Sequence, residues 1–194
     1  MFNFVIRGLS LVIFCTLFGY WFLLSKKAQQ EKPKTKKTNF FIFFLRATSN
    51  WASLVIIGIQ IAGWNVFSIS NSYAFLAQMI GFVLLITGFS VSISARNALG
   101  ANWIHGFEYQ IKQKQTLTTT GIYKYIRHPI YIGLFFVLIG AELVAQSLLF
   151  LSFLVMIFPF YIQAKREEKL LINYFGDAYK KYKSRTKMFI PFVW

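Results

Sequence analysis

Along the chain, long apolar runs alternate with short basic segments, and crossing a hydrocarbon core takes about 20 helical residues at about 1.5 Å each. The first run, from about Asn3 to Leu24, predicts one crossing. It leads into a loop at 25–39 that carries Lys26, Lys27, Lys32, Lys34, Lys36 and Lys37, interrupted by Pro33. A second apolar region, from about Phe40 to Ile69, is too long for one upright crossing and contains Arg46. Its start, NFFIFFLRATSN, reads as interfacial, which leaves about Trp51 to Phe67 as the crossing. After the short uncharged SISNSY, a third crossing covers about Ala74 to Ser94 and ends at Arg96.

The polar segment from about Ala95 to Arg127 carries Trp103, Phe107 and Tyr109 as interfacial anchors. From Pro129 to Ile162 the chain is again nearly all apolar, with Lys124 and Arg127 before it and Lys165 and Arg166 after it. A single crossing would put one basic flank outside, so a hairpin is expected, turning in AELVAQS, Ala141 to Ser147. Each arm then has about 16 residues, or about 24 Å, short for a bilayer. In the tail, Leu171, Tyr174, Phe175, Tyr179 and Tyr182 recur at helical spacing between lysines, as in a helix lying on the membrane surface, with a break at Gly176–Asp177.

The expected fold is thus all-α: a polytopic integral membrane protein of about five transmembrane helices, the last two a short hairpin, with a cytoplasmic amphipathic C-terminal helix. Residues 1–194 read as a single membrane domain. Three N-terminal spans fill 1–94, and 95–194 contains the hairpin at 129–162 and the tail at 163–194. The basic segments place the N-terminus outside and the C-terminus in the cytoplasm.

Composition agrees with a membrane protein: 56% of the 194 residues are hydrophobic and 14% charged, against about 25% charged in soluble domains. The formal charge of +15 is spread over inter-span segments, which argues for positive-inside topology and against nucleic-acid binding. With one cysteine, Cys15, and two histidines, a zinc site of Cys and His alone lacks ligands, so no metal is expected. Arg7 before an apolar run resembles a signal peptide, but no small-residue cleavage site follows, and an uncleaved span is expected.

The chemistry concentrates in two places. In YKYIRHPIY, Pro129 suits the first turn of a helix, where its missing N–H is not needed, so His128 stands beside the helix start and Tyr131 one turn on. Helix starts favour a carboxylate or phosphate; headgroup anchoring with an aromatic belt explains the same residues without a ligand. The second place is Glu167–Glu168, where the last span leaves the membrane, with Leu171 and Ile172 instead of basic residues four positions on. A functional reading is the default for such acids, with surface pairing to Lys165, Arg166 or Lys169 as the alternative. If the hairpin forms, His128 and Glu167 share one membrane level.

QTLTTTGIYKYIRHPIYIG, the apolar hairpin, REEKLLINYFGDAYKKYKSR and the ending MFIPF together resemble the isoprenylcysteine carboxyl methyltransferases and their bacterial relatives, which share a fold with phospholipid N-methyltransferases. NALGANW, at 97–103, is similar to the family's segment before the cofactor region. The resemblance implies S-adenosyl-L-methionine bound at the cytoplasmic end of the hairpin, in a pocket closed by the tail. Carried over by motif position, Gln115, Thr116, Leu117 and Thr118 match the loop that touches the cofactor, Tyr123 the tyrosine before the RHP motif, and His128, Pro129, Ile130 and Tyr131 its HPxY element. Glu167 matches the acidic contact, and Glu168 is counted with it.

Catalytic candidates are His128 and Arg166. The eukaryotic enzymes carry an arginine four residues before the matching glutamate, assigned to the substrate carboxylate; here that position is Gln163, and Arg166 lies one turn away. The implied partners are membrane lipids and a lipophilic small-molecule or lipid substrate, with carboxylate O-methylation favoured over a lipid amine. The implied location is a bacterial inner membrane. The rivals are a membrane NADPH-dependent enone or sterol reductase of similar C-terminal architecture and a non-enzymatic scaffold. No Gly-rich dinucleotide loop after a strand supports a Rossmann enzyme.

Overall fold

A computed structural model describes residues 2–30, 54–64, 67–103, 115–155 and 157–191. The interfacial stretch expected at 40–50, most of the lysine loop, and the anchors Phe107 and Tyr109 lie outside the described residues. The helices are α1 (Phe2–Gln30), α2 (54–61), α3 (Asn71–Leu99), α4 (Pro129–Val144), α5 (Phe150–Leu154), α6 (Ile157–Phe175) and α7 (Asp177–Arg185). Short 3₁₀ turns occupy Gly100–Asn102 and Gly121–Lys124. The described residues contain no strand, only the isolated bridges Ser68–Ser147 and Ile126–Lys187. Two described helices are long and apolar enough to cross a membrane, α1 over Asn3–Leu23 and α3; α4 is a shorter apolar helix.

Contacts divide the chain into two compact units, Met1–Leu85 with Ile139–Phe150, and Ile86–Leu138 with Leu151–Trp194. In the first unit, α1 buries Ile6, Ser10, Phe14 and Leu17, one stripe at helical spacing, and exposes Phe4, Leu9 and Val12. Its Arg7, read from sequence as a signal-like charge, reaches the Ile61 carbonyl at 3.5 Å, the Ala145 carbonyl at 3.3 Å and Gln146 Oε1 at 3.1 Å. The guanidinium thereby serves carbonyls at the ends of α2 and α4, which have no partner within their own helices.

The second crossing differs from expectation, because α2 ends at Ile61 instead of running on to Phe67. Gly63 adopts φ +122°. Its N–H donates to Gln60 O at 3.0 Å and the Trp64 N–H to Ile59 O at 3.2 Å, the paired bonds of a Schellman stop.

Buried positions on α3 fall at Gln78, Gly81, Leu85, Gly88, Ser92 and Ala95, alternating by three and four. Two of them are glycines for a steric reason. In the first unit, a Cβ on Gly81 would meet Val144 N at 2.6 Å and Gly140 O at 2.7 Å; in the second, one on Gly88 would meet Val137 N at 2.7 Å. Helix backbones that touch this closely are held by packing, since lipid supplies no hydrophobic drive between helices.

The hairpin turn comes at 145–149, overlapping the expected Ala141–Ser147 but later, because α4 continues to Val144. The returning arm is not one helix ending at Ile162: it breaks between α5 and α6, and α6 then runs on to Phe175. Pro159 accounts for the break, since its ring clashes with the carbonyl four residues back, at Val155, and is tolerated only in a first turn. The tail breaks at Gly176–Asp177 as expected, but its aromatic stripe is not all on the surface. Gly176 at φ +56° separates α6 from α7, and Tyr179 and Tyr182 are buried in the second unit, leaving Tyr174 exposed.

Candidate functional site

The site lies in the second unit, where three segments meet: residues 123–131, the middle of α6, and the tail after α7. Pro129 begins α4 as its composition predicts. A residue before proline is pushed toward extended backbone, and here the extended stretch pairs with the tail. The Lys187 N–H donates to Tyr125 O at 3.1 Å, Arg127 N–H to Lys187 O at 2.9 Å, and His128 N–H to Met188 O at 3.1 Å. The Tyr182 hydroxyl adds a bond to Tyr123 O at 2.7 Å.

That pairing holds the imidazole of His128, which is buried, between two carboxylates. Its Nδ1 lies 3.5 Å from Glu167 Oε2 and its Nε2 3.6 Å from Glu168 Oε1. The Tyr131 hydroxyl donates to Glu167 Oε1 at 2.5 Å. The His128 and Tyr131 rings stack with centroids 5.6 Å apart and planes 19° apart, and Tyr131 stacks on Phe160 at 5.5 Å. Phe189 tilts against His128 at 5.9 Å, and Met188 and Phe189 pack with Ala164.

The two glutamates have different roles in this geometry. Glu168 is 1% exposed; its Oε1 accepts from Arg127 Nε at 2.6 Å, and its Oε2 is ion-paired with Lys183 Nζ at 2.6 Å. Arg127 Nη1 also donates to Thr186 O, and at 3.3 Å to Lys183 O. Burial raises the Glu168 pKa, but hydrogen bonds from His128, Lys183 and Arg127 outweigh it and hold the carboxyl well below the usual range. The partners expected for a surface pairing, Lys165, Arg166 and Lys169, are not those that hold Glu168. Glu167 keeps a third of its side chain exposed.

Burial likewise lowers the His128 pKa, yet its bonds to Glu167 and Glu168 prevail and leave it above the ordinary value. Burial first, then the nearby Tyr182 and Glu167, raise Tyr123, so its phenol stays protonated.

Of the residues singled out from sequence, His128, Tyr131, Glu167 and Glu168 come together. Pro129 is buried at the helix start, Ile130 is half-buried beside it, and Tyr123 is buried beneath α7. The 115–118 strip is anchored elsewhere: the Thr116 N–H donates to Asn102 Oδ1 at 3.0 Å, and Asn102 Nδ2 donates to Thr116 Oγ1 at 2.9 Å and Thr118 Oγ1 at 3.1 Å. Gln115 and Leu117 are half-buried there. Arg166 is exposed on α6, whereas Gln163, one turn before Glu167, is buried. Sequence reasoning missed Asn102, Lys183 and Thr186, and read Arg127 only as an anchor. Asn102 stood inside the quoted NALGANW and Lys183 inside the quoted REEKLLINYFGDAYKKYKSR, but nothing local marked their partners, which are distant in sequence.

The donor set fits S-adenosyl-L-methionine. A part-exposed carboxylate suits an ammonium or sulfonium, and aromatic faces suit a cation. Histidine, aspartate, glutamate and cysteine form no group of three that could hold a metal among the described residues.

Known proteins resemble the chain in both sequence and fold. It is 28% identical over 118 residues to protein-S-isoprenylcysteine O-methyltransferase of Homo sapiens, covering 60% of this chain and 42% of that protein. It is 32% identical over 120 residues to the protein of that name from Saccharomyces cerevisiae, covering 61% and 50%. The matched segment therefore spans half or less of these relatives' length. A eukaryotic intramembrane Ras methyltransferase, isoprenylcysteine carboxyl methyltransferase, shares the fold at a TM-score of 0.65 and 22% identity, over 98% of this chain and 68% of that one. The family model described as phospholipid methyltransferase matches residues 76–178, more than half of the chain, including the RHP motif and the Glu167–Glu168 pair, and the chain belongs to that family.

Proposed function

We propose that this chain is an integral membrane methyltransferase that uses S-adenosyl-L-methionine to methylate a lipophilic acceptor at the cytoplasmic face. In this reading the chain crosses the membrane about five times, with its N-terminus outside. The observation that carries it is the buried His128 imidazole set between Glu167 and the tail, with Tyr131 stacked on it and bonded to Glu167. The relatives' names and the family point to the same chemistry.

S-adenosyl-L-methionine supplies, when bound, a methyl group on a sulfonium. The chain's part is to bind and orient. Glu167, held by the Tyr131 hydroxyl, offers its exposed oxygen surface to the cofactor's positive groups. His128 orients Glu167 from the other side, and the Thr116–Thr118 strip, fixed by Asn102, offers backbone and hydroxyl groups. Met188 and Phe189 keep water from one side. A carboxylate acceptor is already nucleophilic at neutral pH and asks only for positioning, which favours O-methylation. An amine acceptor must lose a proton, and His128, which Glu167 and Glu168 incline to keep its own, is a poor receiver, which again favours a carboxylate. Gln163 cannot supply the charge that the eukaryotic arginine is assigned to supply, so acceptor recognition differs from theirs. The acceptor's hydrocarbon tail approaches along the exposed apolar notch of Leu154, Val155, Ile157, Phe158 and Tyr161.

Titration of the detergent-purified protein with S-adenosylhomocysteine and with NADPH tests the reading. Thermal stabilisation by S-adenosylhomocysteine is expected. Stabilisation by NADPH alone would establish the reductase instead, and stabilisation by neither the scaffold. Glu167→Ala and His128→Ala should each weaken S-adenosylhomocysteine binding roughly ten- to a hundredfold, as loss of a charge-assisted hydrogen bond does.

A further inference from the structure

We propose that Glu168, Arg127 and Lys183 are positioning residues: their buried ion cluster clamps the C-terminal tail to the segment before α4 and so holds His128 and Glu167, their immediate chain neighbours, in register.

The geometry has a simple logic. Two adjacent residues, Arg127 and His128, face two adjacent residues, Glu167 and Glu168, from segments 41 residues apart in sequence. The outer pair, Arg127 with Glu168, is buried and short, at 2.6 Å with side chains 7% and 1% exposed. The inner pair, His128 with Glu167, is longer, at 3.5 Å, and a third open on the glutamate side. A short buried pair fixes position; a longer, partly open one is left to meet a ligand. Lys183 adds the third segment by placing α7's last turn on the same carboxylate at 2.6 Å, and Arg127 reaches the backbone of that turn at Lys183 O and Thr186 O. Two residues further on, the tail accepts and donates the backbone bonds at 125–128. Formal charges in the cluster sum to one excess positive charge.

Lys183 is the member to test, because its side chain is 36% exposed and Arg127 still neutralises Glu168 without it. Lys183→Met and Lys183→Arg are compared with the unmodified chain in detergent by three measurements. Backbone amide exchange at Arg127, His128 and Lys187 reports the tail contact. Exchange of the His128 ring C–H against pH reports its titration, set by Glu167, Glu168, Tyr131, Arg127 and Lys183 around it. Calorimetry with S-adenosylhomocysteine reports the site, and this arm rests on the methyltransferase reading.

In Lys183→Met the three amides should exchange at least about tenfold faster. The His128 midpoint should rise, because a cation competing for Glu168 is gone. The dissociation constant should weaken by about tenfold. Lys183→Arg should restore all three. Unchanged amide exchange in Lys183→Met overturns the clamp, and faster exchange with an unmoved His128 midpoint overturns the positioning role. Failure of the unmodified chain to bind S-adenosylhomocysteine overturns the cofactor reading instead, and the first two measurements then decide the clamp by themselves.

Discussion

Among the described residues each compact unit buries one carboxyl almost completely, Glu142 in the first at 2% exposure and Glu168 in the second at 1%, but surrounds it differently. Glu142 has neutral company: Gln60 and Ser147 lie beside it, Gln60 Nε2 donates to Ser147 Oγ at 3.2 Å, and Glu142 Oε2 is buried without a hydrogen-bond partner among the described residues. Glu168 sits between two cations. An acid among amides and hydroxyls is a hydrogen-bonding group, and an amide of the same shape can stand in for it. An acid between arginine and lysine neutralises charge, and removing it strands two buried or half-buried cations.

The largest effect expected from that contrast is at Glu168. Glu168→Gln should destabilise the protein by about 3 to 5 kcal/mol in denaturant titrations, the usual result of breaking a buried pair by removing one partner. A loss below about 1 kcal/mol would show the cluster to be solvated, and the contrast with Glu142 would disappear. Next comes the combined change Arg127→Met, Glu168→Leu, Lys183→Met, which strands no charge. It should recover most of the stability lost in Glu168→Gln while failing to restore S-adenosylhomocysteine binding, which separates stability from positioning.

A smaller effect follows from His128. Its folded pKa is raised above the ordinary 6.5: burial opposes the charge, and the bonds to Glu167 and Glu168 overcome it. The folded chain therefore holds this proton more tightly than the unfolded chain. Its stabilisation is complete below about 6.5 and is lost as pH rises through the folded value. The melting temperature of the unmodified chain should accordingly fall toward that of His128→Asn between pH 6 and 9. A gap that widens instead would reverse the sign. The smallest effect is expected at Glu142, where Glu142→Gln should change stability by less than about 1 kcal/mol, because an uncharged amide of the same shape fits these neutral surroundings.

Legibility in the sequence followed the range of the forces involved. The spans α1 and α3 follow from continuous apolarity, and the start of α4 from Pro129. The separation of α6 from α7 follows from glycine at 176, each a property of neighbouring residues. The early stop of α2 was hidden inside an apolar run, because Gly63 there looked like any small residue until its positive φ was known. The break before α6 was marked by Pro159 but outweighed in the reading by the hydropathy around it. In the site, motif spacing brought His128, Tyr131 and Glu167 to one level. It could not show that Glu168 is held from 41 residues upstream and from Lys183 downstream. Nor could charge counting around Glu168 find Arg127, since no helical spacing links them.

The glycines between α3 and α4 bear on how substitutions in this chain should be read. Gly81 faces Gly140 in one unit and Gly88 faces Gly133 in the other, each too close to a neighbouring backbone for a side chain. A change such as Gly88→Ala or Gly133→Val would raise hydrophobicity and improve every hydropathy profile of the span. It would also force the helices apart, at a cost of about 1 to 3 kcal/mol for overpacking. Variants at these positions would thus pass as conservative by composition while being among the least tolerated by shape, and a catalogue of natural variation should be emptiest where the residues are plainest.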